Sequence, residues 1–212
     1  MNLDILTVVI FSYLVGSMPF GLLLTKIFLK KDLRKFGSGN IGATNVLRTG
    51  NKYLAIITLA LDVLKGYVAV IITKQYLPEL ILFSSLLVFL GHLFPIWLKF
   101  RGGKGVATYL GVLFALSLQL SFLFIFTWLV VSLIFKYSSV SSMFSSLTVF
   151  VVSLIKETAL PALRTITNQQ LDSINLFYEL PSVLFVFFIL IVFTHRKNIS
   201  NLKNKTEQKI KI

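Results

Sequence analysis

Ser38, Asn40, Thr44, Asn45 and Arg48 fall within one short stretch, Phe36-Gly37-Ser38-Gly39-Asn40-Ile41-Gly42-Ala43-Thr44-Asn45-Val46-Leu47-Arg48, that contains no acid. Hydroxyls, amides and a guanidinium at this density suit the chemistry of holding an anion. Glycines let a backbone turn with positive φ and bring its N–H groups close to a ligand. Successive N–H groups in such a turn form an anion-binding nest, which Arg48 can close as a bidentate clamp. A second cluster of similar type is Lys99-Phe100-Arg101-Gly102-Gly103-Lys104-Gly105-Val106-Ala107-Thr108. It places cations, glycines and a hydroxyl at the opening of an apolar helix, whose N-terminus itself attracts anions. It is not a P-loop, because GxxxxGK[ST] does not match and no parallel-sheet pattern precedes it. The competing reading of both clusters is a basic loop between membrane helices.

The elements that must position these residues are membrane helices. Of 212 residues, 56% are hydrophobic, and the formal net charge is +13. That composition excludes a soluble globule. The cations cluster in loops and in the tail, which favours membrane orientation and anionic substrates over nucleic acid, for which there is no motif. Cysteine is absent, which excludes thiolate nucleophiles, disulfides and cysteine metal sites. The first apolar segment is too long for a signal peptide and lacks a basic n-region, so it counts as structure.

Apolar runs cover 4–27, 53–73, 77–98, 106–135, 143–155 and 179–194. The first is interrupted by Gly16-Ser17-Met18-Pro19-Phe20-Gly21, a packing notch with a proline bend. The second carries Asp62 and Lys65 at depth, on one helix face. They either neutralise each other or support a site. The positive-inside rule places the first loop, the 99–104 loop and the basic tail on the cytoplasmic side. With 106–135 counted as one span and 138–155 as another, the tail would fall outside. The preferred repair turns the chain near Gln119, giving about seven transmembrane helices with the N-terminus out and the C-terminus in. The alternative is five spans plus a re-entrant segment. Two fifteen-residue helices would each cover about 22 Å, short of the ~30 Å hydrocarbon core. The fold class is thus an all-α polytopic integral membrane protein. Residues 1–195 form a single transmembrane catalytic domain and 196–212 a basic cytoplasmic tail.

Together the blocks Ser38-Gly39-Asn40…Gly42-Ala43-Thr44-Asn45…Arg48, Gly91-His92…Pro95…Gly102-Gly103-Lys104-Gly105-Val106-Ala107-Thr108 and the serine cluster at 138–142 resemble three motifs of one enzyme family. It is the bacterial membrane glycerol-3-phosphate acyltransferase that uses acyl phosphate as donor. Asp62…Lys65-Gly66, the Gly16–Gly21 motif and His195-Arg196…Asn198-Ile199 match it in order and spacing, while 156–178 carries no family residue and reads as a lineage-specific loop.

The resemblance implies transfer of an acyl group from acyl phosphate to sn-glycerol 3-phosphate, giving 1-acylglycerol 3-phosphate (lysophosphatidate) and phosphate in phospholipid biosynthesis. It implies catalytic roles for Ser38, Arg48, Lys104 and His195. Substrate binding would fall to Gly39, Asn40, Gly42, Ala43, Thr44, Asn45, His92, Gly102, Gly103, Gly105, Thr108, Ser139, Ser142 and Asn198, with Asp62 and Lys65 in support. His92 has a competing role as a packed helix-end residue, and His195 as a structural one. A histidine–aspartate base five residues apart is not available, since Trp97 and Ser200 occupy those positions. A phosphate oxygen of the donor then takes the hydroxyl proton. No carboxylate cluster accompanies the loops, so no metal and no cofactor are expected. Expected partners are the two substrates, membrane lipid and the soluble enzyme that makes acyl phosphate, in the bacterial cytoplasmic (inner) membrane with the active site facing the cytoplasm. The rival class is a transporter of phosphate esters or other anions. Against it, there is no convincing internal repeat, and the motifs crowd one membrane face instead of the midplane.

Overall fold

The computed structural model describes the backbone of residues 3–167 and 174–210, and the side chains of these except 157–167 and 174–178. Among the described residues there are helices and turns and no strand. The chain divides into two compact units, Met1–Leu118 and Gln119–Ile212.

In the first unit, α1 (Leu3–Ser17) and α2 (Phe20–Leu29) make one apolar span of 27 residues, broken at Met18-Pro19. Proline supplies no N–H and its ring crowds the preceding turn, so α1 ends there and α2 starts anew with Pro19 as its N-cap. A short α3 (Ala43–Arg48) follows the first glycine loop. Then comes α4 (Lys52–Tyr76), capped by Asn51, whose side chain accepts the Leu54 N–H at 3.0 Å. A 3₁₀ turn at Pro78–Leu80 reverses the chain into α5 (Ile81–Leu93), and α6 (Val106–Leu116) follows the second glycine loop.

These helices approach closely through glycine. On the α1–α5 pair, a Cβ at Gly16 would collide with the Val88 carbonyl, and one at Gly91 with the Tyr13 carbonyl. On α4–α6 the same reciprocity holds between Gly66 and the Thr108 carbonyl, and between Gly111 and the Val63 carbonyl. Lipid gives little hydrophobic drive between helices, so small residues that admit backbone-to-backbone van der Waals contact do that work. Buried hydroxyls add to it. Ser12 Oγ lies 2.8 Å from Ser84 Oγ, and Thr73 donates to Ser84 at 3.0 Å, which joins α1, α4 and α5.

The second unit comprises α7 (Leu118–Phe135), α8 (Ser138–Thr167), α9 (Ile174–Thr194) and α10 (Arg196–Lys203). α8 packs on α9, with the rings of Phe150 and Phe185 5.2 Å apart. One face of α7 leaves Phe122, Phe126, Leu129 and Leu133 half or more exposed, an apolar stripe suited to lipid.

Among the described residues, five helical stretches are long and apolar enough to cross a bilayer: Leu3–Leu29, Lys52–Tyr76, Pro78–Leu98, Leu118–Phe135 and Ser138–Lys156. A sixth exists if Glu179–Thr194 and Arg196–Lys203, bent by 53°, count as one. The turn expected near Gln119 corresponds to a break at Ser117, whose extended backbone (φ −159°, ψ 113°) ends α6. The resulting pieces have 11 and 18 residues and not fifteen each. At 1.5 Å per residue, α6 reaches about 16 Å and α7 about 27 Å, against a hydrocarbon core of ~30 Å. The loop expected over 156–178 is largely helical in backbone. α8 continues to Thr167 and α9 begins at Ile174, and 168–173 lie outside the described residues.

Candidate active site

The first glycine loop is built around one amide. Asn45 is 1% exposed, and its Nδ2 donates to the carbonyls of Leu33 (3.2 Å), Phe36 (2.9 Å) and Asn40 (2.8 Å). Its Oδ1 accepts the Ser38 N–H at 3.1 Å. Three carbonyls and an N–H from the loop thus converge on one side chain, which fixes the path of 33–40. Gly37 (φ 56°) and Gly39 (φ 73°) take the left-handed turns that this path needs, and the Gly39 N–H donates to the Phe36 carbonyl at 2.9 Å. Asn40 Oδ1 accepts the Gly42 N–H at 3.3 Å. Gly42 is the N-cap of α3, followed by Ala43 and exposed Thr44.

A Cβ on Gly37 would lie 3.3 Å from Arg48 Cδ, so the arginine stem folds back along the glycine turn that presents exposed Ser38. Asp32 is the only acid between Lys30 and Arg48. Arg34 binds it twice, Nε to Oδ1 at 3.0 Å and Nη2 to Oδ2 at 2.7 Å. Hydrogen bonding from Arg34 holds the Asp32 carboxyl well below the usual carboxylate range. The pairing is therefore complete at neutral pH and lost only as pH falls through that depressed value. Asp32 is thereby engaged, and Arg48, Lys30, Lys31 and Lys35 set the sign of the loop's potential.

The second glycine loop folds onto the end of α5. The Gly102 N–H donates to the Leu93 carbonyl at 3.0 Å, and the Gly103 N–H to the His92 carbonyl at 3.1 Å. Gly105 (φ 81°) is the N-cap of α6 and packs against Phe89 and Leu93. Lys104 sits between these glycines, half-buried, one turn before buried Thr108. Leu98, at the start of this loop, packs on the cluster of Leu22, Leu33, Ile41, Val46, Leu54 and Ala55 that underlies the first loop. The two loops therefore share a floor at one end of the first unit.

His92 lies beneath the second loop, 4% exposed, and not in its mouth. Asp62 and Lys65 are ion-paired at 2.7 Å, each side chain 3% exposed. This contact is the mutual neutralisation of the first reading, and Lys65 Nζ also donates to the Met18 carbonyl at 2.8 Å, at the proline break.

In the second unit, Ser139 is buried at the start of α8 and donates to Glu207 Oε1 at 3.1 Å. Asn198 Nδ2 donates to the same oxygen, and Asn201 Nδ2 reaches Glu207 Oε2 at 3.3 Å. The Ile210 N–H donates to the Lys136 carbonyl at 2.7 Å, so the tail returns to the start of α8. Ser142 donates to the Ser138 carbonyl at 2.8 Å and accepts from Trp128 Nε1 at 3.3 Å. His195, 2% exposed, places Nδ1 2.7 Å from the Ile191 carbonyl. A carbonyl only accepts, so the proton is on Nδ1. Glu207 is absent from the sequence reading. Its signal was available: it is the sole acid after Glu179, in a tail carrying Arg196, Lys197, Lys203, Lys205, Lys209 and Lys211.

Residues 6–205 match the family model described as glycerol-3-phosphate acyltransferase. The chain is 49% identical to the glycerol-3-phosphate acyltransferase of Pelagibacter ubique (strain HTCC1062), over 99% of this chain and 100% of the relative. It is 47% identical to that of Mesorhizobium japonicum, over 99% and 98%. The crystal structure of PlsY (YgiH), an integral membrane glycerol 3-phosphate acyltransferase, in its glycerol 3-phosphate form is similar with a TM-score of 0.80 and 32% identity, covering 98% of this chain and 96% of that one. Its lysophosphatidic acid form gives a TM-score of 0.78.

Proposed function

The chain belongs to the glycerol-3-phosphate acyltransferase family, and from that premise we propose that it acylates sn-glycerol 3-phosphate with acyl phosphate, releasing lysophosphatidate and inorganic phosphate. The observation that carries this reading is the shared floor of two cation-bearing glycine loops, because each substrate presents a phosphate head. Arg48 and Lys104 hold and neutralise the phosphates, with Ser38, Asn40, Ala43 and Thr44 supplying donors on one loop, Gly39 and Gly42 shaping its turns, and Gly102, Gly103, Gly105 and Thr108 shaping the other. Asn45 shapes its loop from within. The existence of glycerol 3-phosphate and lysophosphatidic acid forms of the solved relative supports the acceptor and product assigned here.

In the reaction, the glycerol hydroxyl oxygen bonds to the acyl carbon and the bond from that carbon to the phosphate oxygen breaks. The hydroxyl proton passes to a phosphate oxygen of the donor, and the phosphate leaves. The acyl carbon is already activated, so stabilising the developing negative charge supplies most of the rate. The apolar acyl tail stays in lipid while the head meets the loops at the interface. Proteoliposomes separate this from the transporter class. With acyl phosphate and labelled glycerol 3-phosphate we expect labelled lysophosphatidate, whereas uptake of label without product would establish transport.

The same reading places the protein in a bacterial cytoplasmic membrane with seven crossings, α6 being the short one, and with both glycine loops and the start of α8 on the cytoplasmic side. The native chain has no cysteine, so single cysteines at Lys31, Lys99, Lys136 and Lys203, all exposed, report sidedness cleanly. An impermeant thiol reagent added to intact cells should label none of them. Labelling at 136 alone would favour five spans and would remove the serine cluster from the site.

A further inference from the structure

An ion pair buried as deeply as Asp62–Lys65 is a poor source of stability. Replacing such a pair by apolar residues is often neutral or stabilising, whereas removing one partner is strongly destabilising. The contacts this pair makes point to geometry as its use. Lys65 Nζ binds Asp62 Oδ1 at 2.7 Å and the Met18 carbonyl at 2.8 Å, so α4 is tied to the break between α1 and α2. The same carboxylate oxygen lies 3.7 Å from His92 Nδ1, which has no hydrogen-bond partner among the described residues. On its other edge, His92 Nε2 abuts Gly103 so closely that a Cβ there would overlap the ring. A Cβ on Gly102 would strike the His92 carbonyl and the Pro95 ring. The imidazole is therefore wedged between a charged pair and the backbone of the turn that carries Lys104.

We propose that His92 is a positioning residue, a buried strut that sets the height and orientation of the 102–105 turn, with Asp62–Lys65 as its footing. This rests on the reading that the turn binds a phosphate-bearing substrate. The geometry explains two sequence features together. Position 103 must be glycine because the ring fills the space of a side chain. The ring in turn stands on an ion pair because a strut needs a fixed base, and the pair is anchored at the proline break.

A double-mutant cycle tests this with purified full-length protein, glycerol 3-phosphate as varied substrate and saturating acyl phosphate. Gly103→Ala in the native background should raise KM for glycerol 3-phosphate about tenfold, because the new methyl displaces the turn. In a His92→Ala background the methyl has room, and adding Gly103→Ala should change KM by less than about twofold. His92→Asn, which also vacates the ring edge, replaces the alanine variant if that one does not fold. A purely structural contribution would lower the folded fraction and Vmax while leaving KM and its coupling untouched. Equal KM effects of Gly103→Ala in both backgrounds would overturn the strut. Loss of the underlying reading looks different: Lys104→Ala would then leave turnover and KM as in the native protein.

Discussion

Arg48→Ala and Lys104→Ala should each reduce kcat/KM by about 10²–10³-fold while the protein still inserts and purifies normally. Each is the cation seated in its glycine loop, Arg48 with its stem against Gly37 and Lys104 between Gly103 and Gly105. In both cases the substitution removes a cation held within a glycine loop, and water replaces such a charge-assisted contact poorly. Neither residue lies in the buried helix contacts that hold the unit together, so thermal stability in detergent should change little. Steady-state kinetics on purified variants decides the matter. Turnover close to that of the native protein would take the residue out of the site.

Asn45→Asp should be nearly as damaging, although it changes one atom type in an isosteric side chain. The native amide donates to three carbonyls and accepts one N–H. A carboxylate cannot donate, so it sets a negative oxygen against three carbonyl oxygens in a pocket closed to solvent. Each stranded buried acceptor costs about 1–3 kcal/mol, and the loop can escape only by abandoning its turn. Loss of about a hundredfold or more in kcat/KM is expected, with the helical content unchanged by circular dichroism. Activity within a few-fold of native would mean that the loop keeps its shape by other means.

Those two predictions draw on different kinds of information. Arg48, Lys104 and the glycines were legible in the sequence as candidates because local composition carries that signal: cations, glycines and hydroxyls packed together without an acid. The helices were legible because apolar runs of membrane length announce themselves, and the Pro19 break because proline cannot continue a helix. Asn45 was visible as one donor among several, but its use as the hub of the loop depends on where three carbonyls point, which no local pattern encodes. His92 likewise reads as one of two histidines near a loop. Its place beneath Gly103 follows from the return of the chain onto the end of α5. Glu207 was missed because its partners, Ser139 and Asn198, lie 68 and 9 residues away and only the folded tail brings them together. The break at Ser117 was approached through charge parity alone, without Gly or Pro to mark it, so the sequence located it only to within a few residues and misjudged the lengths of the two pieces.

The cation-lined site of the first unit also bears on the choice of donor. A chain without cysteine and without a nucleotide-binding motif offers two loops suited to phosphate heads and nothing evident to recognise a nucleotide handle. The most direct measurement is therefore a donor comparison on purified enzyme with glycerol 3-phosphate as acceptor. The same acyl chain is supplied either as acyl phosphate or as its coenzyme A thioester. The account predicts lysophosphatidate and inorganic phosphate in one-to-one yield from acyl phosphate, and no more than background from the thioester. Comparable rates from the two donors would contradict it.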